Sequence, residues 1–418
     1  MKPGQRRVVV VGAGAAGTMA AIFAATSGAE TLLLERTRDG GRKILISGGG
    51  RCNILPARVE ESRFVTDSPP HLLRKMVRSW PLREQIVFFE REMGIPLVEE
   101  QESAKLFPAS NRARDVRDGL LELAGRRGAT VLTGTTVTDF TPIADGWRIE
   151  REGAPPLVAD AVVVATGGLS VPSTGSDGLG LRVAGRLGHA VHPTYAALTP
   201  LTADPAPFAS LAGVSVEVTL CARGSGREAA AAGGFLFTHK GYSGPAVLDI
   251  SHVAVRSREG NGPRARLEVR WCRLDAREWE QALRPRGART VAGALRAELP
   301  ERLATALLVA AGVEPARPLA DLRRAERLRL IDTLVRGDLP WTADEGYRKA
   351  EVTGGGVSLA EIDPRTLESR RHPGLFLCGE MLDAFGPIGG YNFLWAWATG
   401  RAAGLGAAGT DGFRTSRS

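Results

Sequence analysis

The sequence predicts an α/β fold, and three observations support that prediction. The chain opens with an apolar strand, a glycine turn, a helix of small residues and a second strand. From about residue 191 to residue 270 it changes to short alternating runs, typical of an antiparallel β-sheet or a small barrel. A helical stretch follows, and the chain then returns to strands, glycine turns and a final helix. At 418 residues it has room for two or three domains, because single cores stop growing at about 250–300 residues.

The first element is a strand–helix–strand unit with a glycine fingerprint. Val8–Val11 is predicted to be a strand buried on both faces, and a helix is predicted from about Ala15 to Ser27. Glu35 ends the second strand, 21 residues after Gly14, where a carboxylate can bind a ribose hydroxyl. The turn has the glycine spacing that a pyrophosphate and a closely packed helix require, at Gly12, Gly14 and Gly17.

This context predicts a Rossmann-type domain that binds a dinucleotide, with the first helical N–H groups, at Ala15 and Ala16, facing the phosphates. The alternative is a glycine-rich turn beside a solvated glutamate. The loop after Glu35, GGRKILISGGGRCN, offers many backbone N–H groups that can reach a pyrophosphate or a flavin ring. It is otherwise a mobile surface loop with glycine turns. Its candidate binding residues are Gly41, Arg42, Ser47, Gly48, Gly49, Gly50 and Asn53.

The later elements follow in order. The apolar strand in Ala161–Gly168, AVVVATGG, belongs to a first region that is expected to close near residue 190. The runs VSVEVTL and ARLEVRW alternate as strands of a half-buried sheet do. Leu274–Val335 carries apolar residues at three- and four-residue spacing, which predicts a compact helical insert. The end, GLFLCGEMLDAFGPIGGYNFLWAWATGRAAG, is predicted to be a strand, a loop and a helix.

Composition narrows the class of protein. A hydrophobic content of 43% and a charged content of 24% are ordinary for a globular enzyme, and no run approaches the ~18 apolar residues of a membrane span. The basic, apolar start enters the glycine fingerprint instead of a cleavage site, so we expect a cytoplasmic enzyme. The four cysteines are widely spaced and form no CxxC pair, which argues against a disulfide reductase and a structural zinc site.

The charge balance leaves the partner open. A net charge of +8 attracts polyanions such as RNA. Only six of the 54 basic residues are lysine, however, and the base composition of a genome also explains such an arginine bias. The expected partner is therefore a small-molecule substrate or ribosomal RNA, with no membrane involved.

Six motifs together make the sequence resemble the BaiN/RdsA-type flavoproteins, also described as aminoacetone-oxidase-like FAD-binding enzymes. They are GAGAAG, GGRKILISGGGRCN, ATGGLSVPSTGSDGLG, LFTHKGYSGPAVLDIS, EVTGGGVSLAEIDP and GLFLCGEMLDAFGPIGGYN. The resemblance implies a Rossmann-type FAD-binding domain, of the two-dinucleotide-binding-domain type, interrupted by a β-barrel-like domain with a helical insert. The expected bounds are residues 1–190 and 350–410 for the FAD domain, 191–272 and 336–349 for the barrel-like domain, and 273–335 for the insert.

The resemblance also adds cofactor contacts. Gly379 and Glu380 match the position where such enzymes approach the ribityl chain, and GGYN, at Gly389–Asn392, matches a helix start that faces the pyrimidine end of the flavin. A helix N-terminus there favours the negative charge of reduced flavin. The further residues expected at the cofactor are Arg36, Val137, Ala165, Thr166, Gly167, Gly389, Gly390, Tyr391 and Asn392.

Three residues are candidates for the catalytic acid. Cys52 follows three glycines and Arg51, where positive charge and a flavin favour a reactive thiol; the alternative is a small residue packed beside the cofactor. Tyr391 is an equally plausible proton donor. His239, in LFTHKGYSGPAVLDIS, is expected on the substrate side, and an ordinary surface imidazole is as good an interpretation.

Three functions remain open from the sequence. The first is an FAD-dependent reductase that takes hydride from transiently docked NAD(P)H and reduces an activated carbon–carbon double bond, with a protein acid supplying the proton. The second is a dihydrouridine synthase acting on ribosomal RNA, which the basic balance and the runs Arg284–Arg289 and Arg323–Leu330 fit. The third is an FAD-dependent amine oxidase, which the older family description suggests.

Overall fold

The computed structural model describes residues 5–409 except 225, 260, 261, 286 and 288. The chain forms two compact units. Unit 1 combines the segment up to Thr194 with the segment from Val352 onward, and unit 2 is Tyr195–Glu351. The segment expected to be a helical insert, residues 273–335, lies within unit 2. Residues 1–4 and 410, at the ends of the expected FAD domain, lie outside the described residues.

The secondary structure is mixed throughout. The strands are, in chain order, β1 (Arg7–Val11), β2 (Glu30–Leu34), β3 (Leu55–Pro56), β4 (Leu97–Glu100), β5 (Lys105–Pro108), β6 (Thr130–Leu132), β7 (Val137–Ile143), β8 (Gly146–Arg151), β9 (Ala154–Ala159), β10 (Ala161–Val164), β11 (Val191–Ala197), β12 (Leu201–Thr202), β13 (Ser215–Gly224), β14 (Arg227–Thr238), β15 (Gly241–Ser243), β16 (Arg266–Arg270), β17 (Gly337–Asp338), β18 (Ala343–Asp344), β19 (Val352–Val357) and β20 (Leu375–Leu377). The α-helices are α1 (Ala15–Thr26), α2 (Arg42–Ile46), α3 (Pro70–Arg78), α4 (Leu82–Val87), α5 (Ala113–Arg126), α6 (Leu179–Arg186), α7 (Pro245–Glu259), α8 (Ala276–Ala282), α9 (Val291–Leu295), α10 (Glu301–Ala310), α11 (Arg324–Arg336) and α12 (Tyr391–Ala407).

Unit 1 is organised by a five-stranded parallel sheet with the order β20-β10-β1-β2-β6. The central strand β1 is covered on both faces, so its valines are almost wholly buried, as the sequence predicted. The sheet joins distant parts of the chain, because β10 pairs with β20 in the register Val163 to Phe376. The carboxyl ends of these strands meet at one edge, which is where open α/β sheets bind ligands.

Helices α1 and α12 pack against each other with their backbones in close approach. A Cβ on Gly400 would lie 2.3 Å from the carbonyl oxygen of Ala16, and one on Gly404 would lie 2.3 Å from that of Ala20. Both contacts advance by four residues in the same direction, so the helices run parallel. Tyr391 precedes Gly400 by nine residues, and α12 therefore extends about 14 Å beyond the start of α1, at 1.5 Å per residue.

Two further three-stranded sheets complete the strands of the N-terminal segment of unit 1. One has the order β3-β5-β4 and the other is the meander β7-β8-β9. The start of β11 pairs with β19, where the chain leaves unit 1 and later re-enters it. Close approach is required here too, because a Cβ on Gly355 would lie 2.2 Å from the carbonyl oxygen of Pro193.

Unit 2 is built on a seven-stranded sheet with the order β17-β16-β13-β14-β15-β12-β18. Its centre is the long antiparallel hairpin of β13 and β14. Within the described residues, the strand order ends at β17 on one side and at β18 on the other. Closure of this sheet into a barrel stays a prediction. Helices α8 to α11 lie between β16 and β17 in the chain, and their apolar faces contribute Trp279, Leu295 and Leu330 to the core of unit 2.

A helix, α7, stands where the sequence predicted only strands. The strand prediction for residues 191–270 is therefore wrong over Pro245–Glu259. The helix packs against β13 and β14, which explains its burial pattern. Its core residues, Ala246, Val247, Ile250, Val253 and Ala254, follow helical spacing.

Candidate cofactor site

Four predicted cofactor segments converge at the carboxyl edge of the parallel sheet. Gly12 follows β1, Glu35 follows β2, Ala165 follows β10 and Gly379 lies just beyond β20. The N–H of Gly12 donates to the carbonyl of Leu34 and that of Ala165 to the carbonyl of Val11, so the first three turns are fixed to neighbouring strands. Parallel pairing therefore gathers residues from both ends of the sequence in one place.

The three fingerprint glycines have different surroundings. A Cβ on Gly12 would lie 2.6 Å from the carbonyl oxygen of Ala165, and one on Gly17 would lie 1.8 Å from that of Gly12. Protein atoms therefore already occupy the space that a side chain at Gly12 or Gly17 would need. A Cβ on Gly14 has no described protein atom within 4 Å, leaving aside its chain neighbours. Gly14 thus faces open space at the N-terminus of α1, where among the described residues no side chain caps the helix.

Glu35 is held by the fingerprint that it follows. Its side chain is buried, and one carboxylate oxygen accepts the N–H of Ala13 at 2.8 Å. The other accepts the N–H and hydroxyl of Thr37 at 2.7 and 2.6 Å. A carboxylate has about four lone-pair positions, so it can still accept one ligand hydroxyl. The residues after β6 run beside it, because the N–H of Thr135, two residues before Val137, donates to the carbonyl of Glu35.

The glycine loop presents backbone to solvent beside this edge. Gly48, Gly49 and Gly50 are exposed and all have positive φ, between 55° and 85°, a conformation that glycine adopts without strain. Ile46, just before them, is 54% exposed although it is a large apolar residue. Exposed glycine backbone next to an exposed isoleucine is a surface that a planar, partly apolar ligand covers well.

The loop and the start of α12 are joined by Asn53. With its amide oriented to satisfy both groups, Asn53 accepts the N–H of Gly390 at 3.0 Å and donates to the carbonyl of Leu55 at 3.1 Å. Asn392 closes the turn before the helix, accepting the N–H of Gly386 at 2.9 Å and donating to its carbonyl at 3.0 Å. Gly390 caps α12 with a φ of 88°. The two glycine segments predicted to hold the flavin are therefore neighbours.

The remaining expected contacts lie around this edge. Arg36 forms an ion pair with Asp177 at 2.5 Å, while Arg42 pairs with Asp39 at 2.8 Å. The Arg42 guanidinium lowers the pKa of the Asp39 carboxyl through that hydrogen bond. Thr166 accepts the N–H of Gly180 at 3.2 Å. Val137 is buried, and Gly167 has a φ of 71°.

Together these features fit a dinucleotide with a flavin. An open position at Gly14, an uncapped helix start and a buried carboxylate suit a pyrophosphate and its adjoining ribose. The exposed glycine loop and the start of α12 are neighbours and can accommodate a ring system. The residues present therefore fit FAD.

The three candidate acids differ in placement. Cys52 is wholly buried, and burial raises the pKa of its thiol to about 12, although a hydrogen bond with Ser47 acts in the opposite direction. Tyr391 is also buried; its hydroxyl donates to the carbonyl of Arg58 at 3.2 Å and accepts the N–H of Glu60 at 3.3 Å. His239 belongs to unit 2, where it is exposed in the turn between β14 and β15. A catalytic role for each stays a prediction.

The structure also reveals side chains that the sequence did not single out. Lys43 Nζ lies 2.6 Å from Glu380 Oε2 and 2.7 Å from Ser170 Oγ. The hydroxyls of Ser170 and Thr353 donate to Glu380 Oε1, at 2.5 and 3.0 Å. The only signal in the sequence was a lysine within a glycine loop of a chain that has six lysines.

The described residues contain no group of three or more His, Cys, Asp or Glu side chains placed to hold a metal ion. Within the same residues, no helix has both the length and the apolar character that crossing a membrane requires.

Residues 6–406 match the model of the HI0933-like protein Rossmann domain. The chain is 33% identical, over 96% of its length and 99% of the relative, to the 3-dehydro-bile acid delta(4,6)-reductase of Clostridium scindens. It is 32% identical, over 94% of its length and 95% of the relative, to the ribosomal RNA dihydrouridine synthase of Escherichia coli. The Sdh1 complex of Mycobacterium smegmatis has a similar fold, with a TM-score of 0.51 and 17% identity over 97% of this chain and 68% of that one.

These matches confirm the resemblance inferred from the six motifs, and with it the oxidoreductase and flavoprotein class. The chain belongs to the HI0933-like family, the BaiN/RdsA-type FAD-dependent oxidoreductases.

Proposed function

We propose that the protein is an FAD-dependent reductase that uses NAD(P)H to reduce an activated carbon–carbon double bond. The observation that carries the proposal is the full-length similarity to a protein named as a delta(4,6)-reductase. The relative named as a dihydrouridine synthase supports the same reaction class, because forming dihydrouridine also saturates a carbon–carbon double bond. The two relatives are named for different substrates, but the same kind of bond is reduced in both reactions.

The residues proposed to hold FAD are those of the carboxyl edge. Gly14 and the first N–H groups of α1 bind the pyrophosphate, and Glu35 accepts a ribose hydroxyl. The exposed Gly48–Gly50 backbone and the N-terminus of α12 hold the flavin ring, with the helix start stabilising negative charge. Bound FAD would supply the hydride-transfer chemistry between the donor and the substrate.

The protein must add a proton to the second carbon of the bond. Cys52, Tyr391 and His239 remain the proposed donors. The contacts of the Tyr391 hydroxyl with two backbone groups would have to loosen for proton transfer, and the Cys52 thiol would need a route out of its buried position. His239 is exposed to solvent. The sequence has one dinucleotide fingerprint, so NAD(P)H is proposed to dock transiently.

A substitution at Gly14 tests the FAD site without disturbing the fold. Gly14→Val adds a side chain into open space and should abolish flavin binding while circular dichroism and the unfolding midpoint of the apoprotein stay unchanged. Gly17→Val is the contrasting control, because its side chain meets the backbone of Gly12 and should unfold the domain. Stoichiometric FAD in Gly14→Val, or colourless wild-type protein after reconstitution with FAD, contradicts the proposed site.

Reduction of the purified holoprotein tests the donor. Mixing it with NADH or NADPH without oxygen should bleach the flavin absorbance near its visible maximum, and a conjugated enone should restore it. If neither nucleotide bleaches the flavin, both are excluded as electron donors. That result would not contradict the proposed FAD site, which is tested separately.

Ribosomal RNA is the second candidate substrate, favoured by the relative named as its dihydrouridine synthase. Arg323, Arg324 and Arg329 are exposed around α11 and available to phosphates. Arg327 is paired with Glu280 at 3.0 Å, which reduces the free charge of the same run. Within Arg284–Arg289, Arg286 lies outside the described residues. The test is a strain in which this gene is deleted. If dihydrouridine disappears from its ribosomal RNA and returns when the gene is restored, ribosomal RNA becomes the favoured substrate.

A further inference from the structure

Glu380 was expected to meet the cofactor, and its carboxylate accepts four hydrogen bonds from the protein. Oε2 accepts Lys43 Nζ at 2.6 Å. Oε1 accepts the Ser170 hydroxyl at 2.5 Å and both the N–H and the hydroxyl of Thr353 at 3.0 Å. Three of these four donors share Oε1, while Oε2 has one donor and keeps one lone-pair position open. The orientation of the carboxylate is therefore set by the protein.

The same cluster joins four separate segments of unit 1. Lys43 lies in α2, Ser170 in the loop after β10, Thr353 in β19 and Glu380 beyond β20. Thr353 Oγ1 also accepts the N–H groups of Leu169 and Ser170, at 2.7 and 3.0 Å. The pair of Lys43 and Glu380 spans 337 residues of sequence. These four side chains therefore form a clasp, the Lys43–Ser170–Thr353–Glu380 cluster, between distant parts of the chain.

The clasp closes a ring of contacts around the glycine fingerprint. On one side, the N–H of Gly41, two residues before Lys43, donates to the carbonyl of Ala13 at 2.9 Å. On the other, Gly379 precedes Glu380 and lies so close to α1 that a Cβ on it would be 2.8 Å from the Cβ of Ala16. Lys43 and Glu380 are thus both linked through neighbouring residues to the start of α1.

The burial of the ion pair makes this link stiff. The side chains of Lys43 and Glu380 are 28% and 18% exposed, so solvent screens their attraction less than that of a surface pair. Removing either partner leaves the other charge partly buried and without its counterion. The Glu380 carboxylate also has little freedom to rotate, because four donors together set its orientation.

The geometry points to Lys43 as a positioning residue, which holds Glu380 and thereby sets the Gly379 turn against the fingerprint in the arrangement that binds FAD. In this arrangement the Glu380 carboxylate holds the turn, and the backbone at Gly379 contacts the cofactor. This inference rests on the proposed FAD binding and assigns Lys43, Ser170 and Thr353 a part in it. Supporting groups of this kind keep a binding site within about 0.5 Å of its productive geometry.

A double-mutant cycle on apoprotein reconstituted with FAD tests the assignment. Lys43→Met and Glu380→Gln should each weaken FAD binding by about tenfold or more, with the double variant no weaker than the worse single variant, because both break one clasp. Lys75→Met is the matched control: it removes an exposed lysine from α3 and should leave the dissociation constant unchanged. Ser170→Ala, a smaller change, should give an intermediate loss. Circular dichroism and the unfolding midpoint of each apoprotein check the fold.

Three outcomes would overturn the inference. If Glu380→Gln weakens FAD binding and Lys43→Met does not, the carboxylate is a direct cofactor ligand. If the two effects multiply in the double variant, the residues act independently. If Lys43→Met lowers the unfolding midpoint and leaves the FAD dissociation constant unchanged, the clasp serves the fold alone. Absence of FAD binding by the wild-type protein would instead contradict the proposed function, so the two failures are distinguishable.

Discussion

Cys52 has a strained backbone and a fully buried side chain. Its φ of 62° places a non-glycine residue in the left-handed region, two residues after Gly50. Glycine would adopt this conformation more readily, so the chain retains the thiol at an energetic cost of about 1–3 kcal/mol. Both a packing role beside the cofactor and an acid role are compatible with that cost, and they differ in what removing the thiol does to turnover.

We expect Cys52→Ala to retain FAD and to slow turnover by less than about tenfold. A general acid contributes about 10²–10⁴-fold when its pKa is close to the working pH, and burial raises the pKa of this thiol to about 12. Steady-state rates and FAD content of both proteins check this. A loss of about 100-fold with full FAD content would instead assign the proton to Cys52.

His189 is a buried imidazole whose hydrogen bonds select its neutral form. Nδ1 lies 3.1 Å from the carbonyl oxygen of Ala184 and so carries the proton, while Nε2 accepts the Ser369 hydroxyl at 2.8 Å. Burial lowers the pKa of His189, although its hydrogen bond with the Ala184 carbonyl acts in the opposite direction. The folded protein therefore binds this proton only at a lower pH than the unfolded chain, whose imidazole has a pKa near 6.5.

Stability should consequently fall as the pH is lowered below about 6.5, where the unfolded chain takes up the proton first. One proton gives a slope of at most about 1.4 kcal/mol per pH unit. Denaturant unfolding of wild-type protein and His189→Gln between pH 7 and pH 5 should show a smaller slope in the variant. His71→Gln, which removes an exposed imidazole from α3, is the control and should follow the wild type. Equal slopes for wild type and His189→Gln would contradict the assignment.

At the scale of elements, the parallel helices α1 and α12 depend on glycines that allow their backbones to touch. Gly404→Ala should destabilise unit 1 by about 1–3 kcal/mol, because the new methyl group would lie 2.3 Å from the carbonyl oxygen of Ala20. Gly125→Ala in α5 is the matched control. It adds the same atom with no described protein atom within 4 Å and should stabilise by about 0.5–1 kcal/mol. Urea unfolding measures both, and a Gly404→Ala midpoint at or above that of the wild type would refute the close packing.

Local sequence patterns predicted the first elements well. The strand expected at Val8–Val11 is β1, and the helix expected over about Ala15–Ser27 is α1, ending at Thr26. These succeed because apolar runs and glycine turns act over a few residues. Helix α7 was missed although its apolar spacing is helical, since strand-like runs surround it. The Lys43–Glu380 pair could not be predicted, because it depends on a tertiary contact across 337 residues.

The whole molecule carries a net charge of +8. This charge has a role in substrate binding only if the exposed arginines bind RNA. If they do, the affinity should fall log-linearly with salt, with a slope of about −0.7 to −0.9 per neutralised phosphate. Arg324→Glu should weaken binding and make the slope shallower, while FAD content stays unchanged. It should also fold, because an acidic residue suits the first turn of α11. Arg126→Glu, an exposed reversal in unit 1, is the control, and equal effects of both reversals would contradict a site at α11.

The pairing of β10 with β20 and of α1 with α12 has a consequence for how the protein is made. Unit 1 needs residues 375–407, which leave the ribosome long after the fingerprint, whereas unit 2 is continuous in the chain. Unit 2 can therefore acquire its fold while the first βαβ unit still lacks the strand and helix that complete it. Until then the side of α1 that packs on α12 and the edge of β10 that pairs with β20 are uncovered, which makes a nascent chain at that stage more prone to aggregation. The proposed flavin site is therefore complete only after residues 375–407 have been synthesised, later than the whole of unit 2.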